Sequence, residues 1–277
     1  MKRFKRILVT GAAGRLGTQL RQGLVPLAEN LRITDRVEME NVKPHEEAIV
    51  ADLGDYDTVM EMTKDVDAIC HFGGTPNEQP FEEILNATIR GSYHIYEGAR
   101  KNGVGRVIYA SSNHAIGFHP LSDNIDAGAP WRPDTLYGVS KCYVEALSRL
   151  YFDKWQIETV CFRIFSSFEE PLDRRMLWSW LSYRDFVGYV SASLTAPSVG
   201  HTILFGASAN KHQPFDNRKA GHIGYTPVDN TEAFREEMEA KTEVPDPNAP
   251  WVKYLGGKFV EFPNPDDDVS VKQIRRG

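Results

Sequence analysis

The chain has 277 residues, 41% of them hydrophobic, with 32 Lys plus Arg against 38 Asp plus Glu and a formal net charge of −6. That apolar share supports a substantial core, the acidic balance excludes nucleic acid as a partner, and no apolar run is long enough to span a membrane. Three scattered cysteines (Cys70, Cys142, Cys161) without metal-ligand spacing, and a basic start followed by too short an apolar stretch for a signal peptide, predict a reduced, cytoplasmic protein with no metal site.

In chain order, Ile7-Leu8-Val9-Thr10 reads as a buried strand running into Gly11-Ala12-Ala13-Gly14-Arg15-Leu16-Gly17. Leu20 and Leu24 then share one helical face, so the segment is a strand, a glycine turn and a helix. Such a turn lets backbone N–H groups approach a pyrophosphate at the positive end of the helix. A second strand, Leu31 to Asp35, ends in an acid 18 residues after Gly17. A carboxylate there accepts hydrogen bonds from an adenosine ribose and repels a 2′-phosphate, which predicts NAD rather than NADP, a preference that Arg36 softens.

The alternation continues. Glu47 to Asp52 is a third strand, leaving Asp52 and Leu53 to meet an adenine ring. Asp67 to Gly74 carries a fourth strand into Phe72-Gly73-Gly74, another close backbone approach, with His71 as a packed strand residue. A long helical stretch, about Phe81 to Lys101, precedes a fifth strand, Arg106 to Ala110, that ends at Ser111 and Ser112. This rhythm predicts an α/β fold of Rossmann type, a doubly wound parallel sheet whose ligand crevice lies at the carboxyl ends of the strands. Further on, Tyr137 and Lys141 lie four apart and share a helical face. A phenol ionises near pH 10; a neighbouring cation lowers that value and makes Tyr137 a general base, with Ser112 holding the oxygen that loses its proton.

Together, Gly11-x-x-Gly14-x-x-Gly17, Asp35, Asp52-Leu53, Gly73-Gly74, Ser112 and Tyr137-x-x-x-Lys141 resemble the extended short-chain dehydrogenase/reductases. The resemblance covers about the first 165 residues and implies Tyr137 as base, Ser112 positioning the hydroxyl, and Lys141 on the nicotinamide ribose and lowering the tyrosine pKa. The chain departs from the family at Thr88, where an asparagine is usual.

A narrower resemblance spans nearly the whole chain. Ser111-Ser112-Asn113-His114-x-Ile116-Gly117, Leu136 to Cys142, Tyr151 to Lys154, Arg175-Met176-Leu177, Phe205 to Asn210 and Asp216-Asn217 are similar to the bacterial uronate dehydrogenases. That subgroup oxidises C1 of galacturonate or glucuronate to an aldarolactone with NAD. The resemblance implies Arg175 on the substrate carboxylate, which suits a planar guanidinium fork, and Ser166 beside it. Arg174 is a competing candidate of lower rank. Asn113 and His114 follow the catalytic serine and can bond sugar hydroxyls. Pro76 stands where the subgroup often has a serine, so that one substrate contact is either lost or supplied by Thr75 or Asn77. A homo-oligomer, with a hexamer within its range, is also implied.

On this reading residues 1–165 form the dinucleotide-binding and catalytic domain, 166–265 a substrate-binding region partly packed on the sheet, and 266–277 a flexible tail. Trp178 to Val190 reads as an aromatic helical run that packs, Thr202 to Gly206 as a late strand, and Asn230 to Met238 as a short charged helix. Prolines from Pro245 onward predict extended arms. Two rival functions share the N-terminal motifs: a sugar-nucleotide epimerase or dehydratase, and a non-catalytic dinucleotide sensor, against which the retained Ser112, Tyr137 and Lys141 argue.

Overall fold

Residues 3–267 are described by a computed structural model. Seven strands form one sheet in the order His201–Gly206, Glu158–Ile164, Arg106–Ser112, Ala68–His71, Phe4–Thr10, Ala28–Asp35, Glu46–Val50. Every neighbouring pair is parallel. The chain leaves the first strand toward one edge, then returns to the first strand's other side. The crevice therefore opens where Thr10 and His71 end side by side, at the switch point.

Both faces of the sheet are covered, which is why its strands read as continuous apolar runs. Alternate residues serve opposite faces. Ile7 and Val9 pack with Leu20, Leu24, Phe186 and Val190, whereas Leu8 packs with Val59, Ile95, Tyr96 and Val144. The helix Leu136–Trp155 lies on the second face, and its first turn reaches the crevice.

The predicted strands and the Tyr137 helix are present, with differences elsewhere. The stretch from Phe81 is not one regular helix: it widens to a π turn over Leu85–Arg90 before Gly91–Asn102. The aromatic run also breaks, into Met176–Ser179 and Tyr183–Thr195. Between them Trp180–Leu181 is extended and pairs with Ser166–Ser167, and Ser182 caps the second helix by accepting the Asp185 N–H at 3.0 Å. The charged helix near residue 232 is a 3-10 turn, Glu232–Phe234, leading into Arg235–Lys241. The arms after Pro245 contain a helical turn, Pro250–Lys253, and a 3-10 turn, Gly257–Glu261. Of the tail expected over 266–277, the part from 268 lies outside the described residues, and the Asp266 carboxylate accepts the Phe81 N–H at 2.9 Å.

Candidate active site

A cavity of about 940 Å³ runs along the carboxyl ends of the strands. Gly11, Gly14, Arg15, Leu16 and Gly17 line one end; Ser112, Asn113, His114, Tyr137, Lys141, Ser166 and Arg175 line the other. Phe72, Gly74 and Thr75 line it too, whereas Ala13, Asp35, Arg36, Asp52, Leu53 and Gly73 do not. The glycines at the first end are required by contact. Gly11 has φ +70°, and a Cβ on it would stand 2.5 Å from the Phe72 carbonyl oxygen; one on Gly17 would stand 2.1 Å from the Gly11 oxygen.

The helix Arg15–Gly23 starts without a side-chain cap and without an acid in its first turn. Its positive end therefore faces the cavity uncompensated, a donor set that fits a pyrophosphate. Asp35 braces this turn: one carboxylate oxygen accepts the Ala13 N–H at 3.0 Å, the other the Arg36 N–H at 2.8 Å. Asp52 is exposed and accepts the Gly54 N–H at 2.8 Å, while the Leu53 carbonyl bonds His94. Gly73 lies against Leu53 and donates to the Thr10 hydroxyl at 2.9 Å. Beneath it His71 is wholly buried between the Thr10 and Ser92 hydroxyls, and burial pushes its pKa down to about 3, as suits a packed residue.

At the other end the Ser112 hydroxyl, which accepts the His114 N–H at 3.2 Å, lies near the Tyr137 phenol, and both line the cavity. Burial pushes the phenol up to about 12, with the Ser112 hydroxyl pulling it down and the charge on Asp134 pushing further up. Lys141 lies with its ammonium 5.2 Å from the Tyr137 ring centre and donates to the Ala110 carbonyl at 2.8 Å; burial brings it down to about 7. Burial governs the phenol here, and the ammonium expected to lower it is committed to a backbone carbonyl and itself desolvated.

His114 was expected to face sugar hydroxyls and does line the cavity, but one ring nitrogen bonds the Asp134 carboxylate at 2.8 Å and the ring stacks on Phe259 at 3.9 Å. Neither Asp134 nor Phe259 figured in the sequence reading. Asp134 fills the gap between two glycines: a Cβ on Gly117 or Gly256 would come within 1.9 Å or 1.8 Å of its carboxylate. Asn113 is buried and donates to the Leu255 carbonyl at 3.1 Å, which spends one of the donors expected for sugar. Thr75 is likewise occupied, its hydroxyl bonding that of Thr88 at 3.0 Å, so Thr88 acts as the buried anchor of this loop.

Arg175 donates to the Ser166 hydroxyl at 3.2 Å and to the Leu255 carbonyl at 2.6 Å, leaving its buried Nε without a partner. Burial pushes it down to about 10. Arg174 is spent on the Thr242 and Glu239 carbonyls at the carboxyl end of the helix Arg235–Lys241, consistent with its lower rank. Leu255 thus receives both Asn113 and Arg175, and with Gly256, which donates to the Gly117 carbonyl at 2.9 Å, forms a strap across the end of the cavity lined by Ser112 and Arg175.

Under the site, Arg163 and Glu145 form a fully buried bidentate pair at 2.9 and 2.8 Å. Ser111 and Trp131 donate to the same carboxylate at 2.6 and 2.7 Å, so one network joins two strands to the Tyr137 helix. Glu145→Gln leaves Arg163 uncompensated and should cost about 3–5 kcal/mol. Thermal unfolding checks this; a midpoint within about 2 °C of the parent would show that the pair contributes little.

The NAD dependent epimerase/dehydratase family matches residues 7–177. A uronate dehydrogenase of Pseudomonas putida is 51% identical over 257 residues, covering 92% of this chain and 96% of the relative. Among solved structures, a glucuronic acid dehydrogenase from Chromohalobacter salexigens superposes with TM-score 0.94 at 44% identity, covering 96% of this chain and 100% of that one. A mutant uronate dehydrogenase from Agrobacterium tumefaciens complexed with NAD gives TM-score 0.91 at 46% identity, covering 94% and 98%. A glycine cradle over an uncapped helix end, a buried serine–phenol pair beside it, and this degree of likeness lead to one conclusion: the chain belongs to the NAD dependent epimerase/dehydratase family, among its uronate dehydrogenases.

Proposed function

We propose that this chain oxidises C1 of a free hexuronic acid, galacturonate or glucuronate, to its aldarolactone with NAD. The carrying observation is Arg175, a guanidinium that lines the same cavity as Ser112 and Tyr137 and whose hydrogen-bond partners among the described residues are the Ser166 hydroxyl and the Leu255 carbonyl. A carboxylate is the ligand that satisfies such a group, and it fixes which carbon meets the base. When bound, NAD supplies the hydride acceptor, held by the turn Gly11 to Gly17 and by Asp35 and Arg36 at its ribose, with Asp52 and Leu53 toward the adenine.

The residues divide the remaining work. Ser112 holds the C1 hydroxyl by its oxygen, and Tyr137 removes the proton. The Lys141 ammonium offers a positive field to the phenolate that forms, and Phe72 and Gly74 line the cavity, with Gly73 between them packed against Leu53. Asn113, His114, Thr75 and Ser166 shape the sugar end. Residues 1–165 thereby supply cofactor binding and the base, while 166–265 supply the acid-recognising wall.

The test is direct. Protein, NAD and either uronate are mixed and reduced nicotinamide is followed by absorbance. Steady formation of NADH and lactone is expected, and an absence of NADH with both uronates would overturn the reading. A sugar-nucleotide epimerase would instead convert a nucleotide diphosphate sugar without net NADH.

The same reading carries a homo-oligomer. Val139, Tyr143 and Leu150 share one exposed face of the Leu136–Trp155 helix, with exposed Tyr93 from Gly91–Asn102 beside Tyr143. A monomer mass in light scattering would refute it. The three free cysteines support a reducing, cytoplasmic location, and among the described residues no helix is long and apolar enough to cross a membrane.

A further inference from the structure

A helix begins with N–H groups that have no partner within it, and whatever satisfies them fixes where the first turn sits. In the helix Leu136–Trp155 that first turn carries Tyr137. Thr135, the N-cap, accounts for the Gly138 N–H, which its hydroxyl accepts at 3.0 Å, and its carbonyl accepts the Val139 N–H at 2.9 Å in the first bond internal to the helix. The amides of Leu136 and Tyr137 are met from far away in sequence. One oxygen of Glu78 accepts the Leu136 N–H at 3.1 Å, and the other accepts the Tyr137 N–H at 2.7 Å. The amides of Leu136, Tyr137 and Gly138 are thereby all met, and the carboxylate also answers the positive end of the dipole.

Glu78 stands on the loop after Gly73-Gly74, whose Thr75, Pro76 and Asn77 line the cavity. The loop is fixed at its other end, where both the Thr75 N–H and hydroxyl meet the Thr88 hydroxyl, at 3.1 and 3.0 Å. The half-buried carboxylate of Glu78 is therefore the tie between the cavity rim and the backbone of the residue bearing the phenol.

We infer that Glu78 is a positioning residue for the oxidation. It does not touch the reacting atoms; it sets the height and tilt of Tyr137 relative to Ser112, and it holds the rim loop against the sugar. This rests on the function proposed above, since the geometry matters only if Tyr137 is the base. A displacement of the order of 1 Å in such a group is enough to cost about a hundredfold in rate.

The experiment compares Glu78→Ala, Glu78→Gln and Ser182→Ala in the full chain. Ser182→Ala removes a cap from a different helix, Tyr183–Thr195, and controls for a loss of stability alone. Measured well below the unfolding midpoints, Glu78→Ala should lose at least about tenfold in kcat for uronate oxidation, with the NAD dissociation constant within about twofold of the parent. Glu78→Gln, which keeps one acceptor oxygen, should fall between Glu78→Ala and the parent. Ser182→Ala should keep the parent's kcat at a comparable loss of midpoint. Hydrogen exchange followed by mass spectrometry supplies a readout independent of turnover: amides 136–137 should exchange faster in Glu78→Ala while those at 144–150 are unchanged.

An unchanged kcat in Glu78→Ala, or an equal loss of kcat in Ser182→Ala, would overturn the inference, as would unchanged exchange at 136–137. If the parent itself produced no NADH from either uronate, the proposed function would fall instead, and the exchange result would still decide whether Glu78 anchors the helix start.

Discussion

Tyr137→Phe should reduce uronate turnover by about 10³-fold or more while leaving the NAD dissociation constant within about twofold of the parent, because the substitution removes only the phenol oxygen from a buried ring. General base catalysis typically supplies 10² to 10⁴ in rate, and the neighbouring Ser112 hydroxyl is far too weakly acidic to replace the phenol. The pH profile separates loss of the base from a packing defect. With the phenol pushed up to about 12 by burial, the phenolate fraction is small at neutrality and grows as pH rises. Oxidation by the parent should therefore accelerate from pH 6 to 9, and any residual rate of Tyr137→Phe should lack that rise. A variant that kept a tenth of the parent's kcat with the same rise would transfer the role of base elsewhere.

Arg175→Ala should lower kcat/KM for a uronate by about 10² to 10³-fold, the cost of leaving a desolvated carboxylate without its partner. NAD affinity should be unaffected, since the guanidinium bonds Ser166 and Leu255 rather than the glycine turn. Arg175→Lys is the informative companion. It keeps a positive charge and one donor for the Leu255 carbonyl but not the planar fork, so it should recover only part of the loss. Full recovery in the lysine variant would mean that charge alone recognises the acid, and undiminished kcat/KM in Arg175→Ala would remove Arg175 from substrate binding. Competition of the uronate against a neutral aldose, measured for each variant, checks that the penalty follows the carboxylate.

What could be read from the sequence was what is local. The glycine spacing of Gly11, Gly14 and Gly17, the alternation of apolar strands with helices, and the four-residue step from Tyr137 to Lys141 each encode their geometry within a turn or two of chain. Groups whose partners lie far away gave no such signal. Glu78 meets Tyr137 across 59 residues and His114 meets Asp134 across 20. A trace of the latter was present in Asp134-Thr135 just before the helix, a capping pair by residue type. The break at Trp180–Leu181 was invisible because its pairing partner, Ser166–Ser167, leaves no periodicity in two residues. The strap was misread as extended arms, although Pro250 at the first position of a helical turn is a favourable start. Asn113 shows a split role: its chemistry suits a sugar and it lines the cavity, while the Leu255 carbonyl takes one of its donors.

Leu255, Gly256 and Phe259 come late in the sequence, yet the guanidinium, the amide and the imidazole of the sugar end all lean on them. During synthesis, the strands and the glycine turn leave the ribosome well before these residues do. On the proposed function, discrimination among substrates is thus the last property the growing polypeptide acquires, and a nick between Pro245 and Pro250 should weaken the choice of acid more than the binding of dinucleotide.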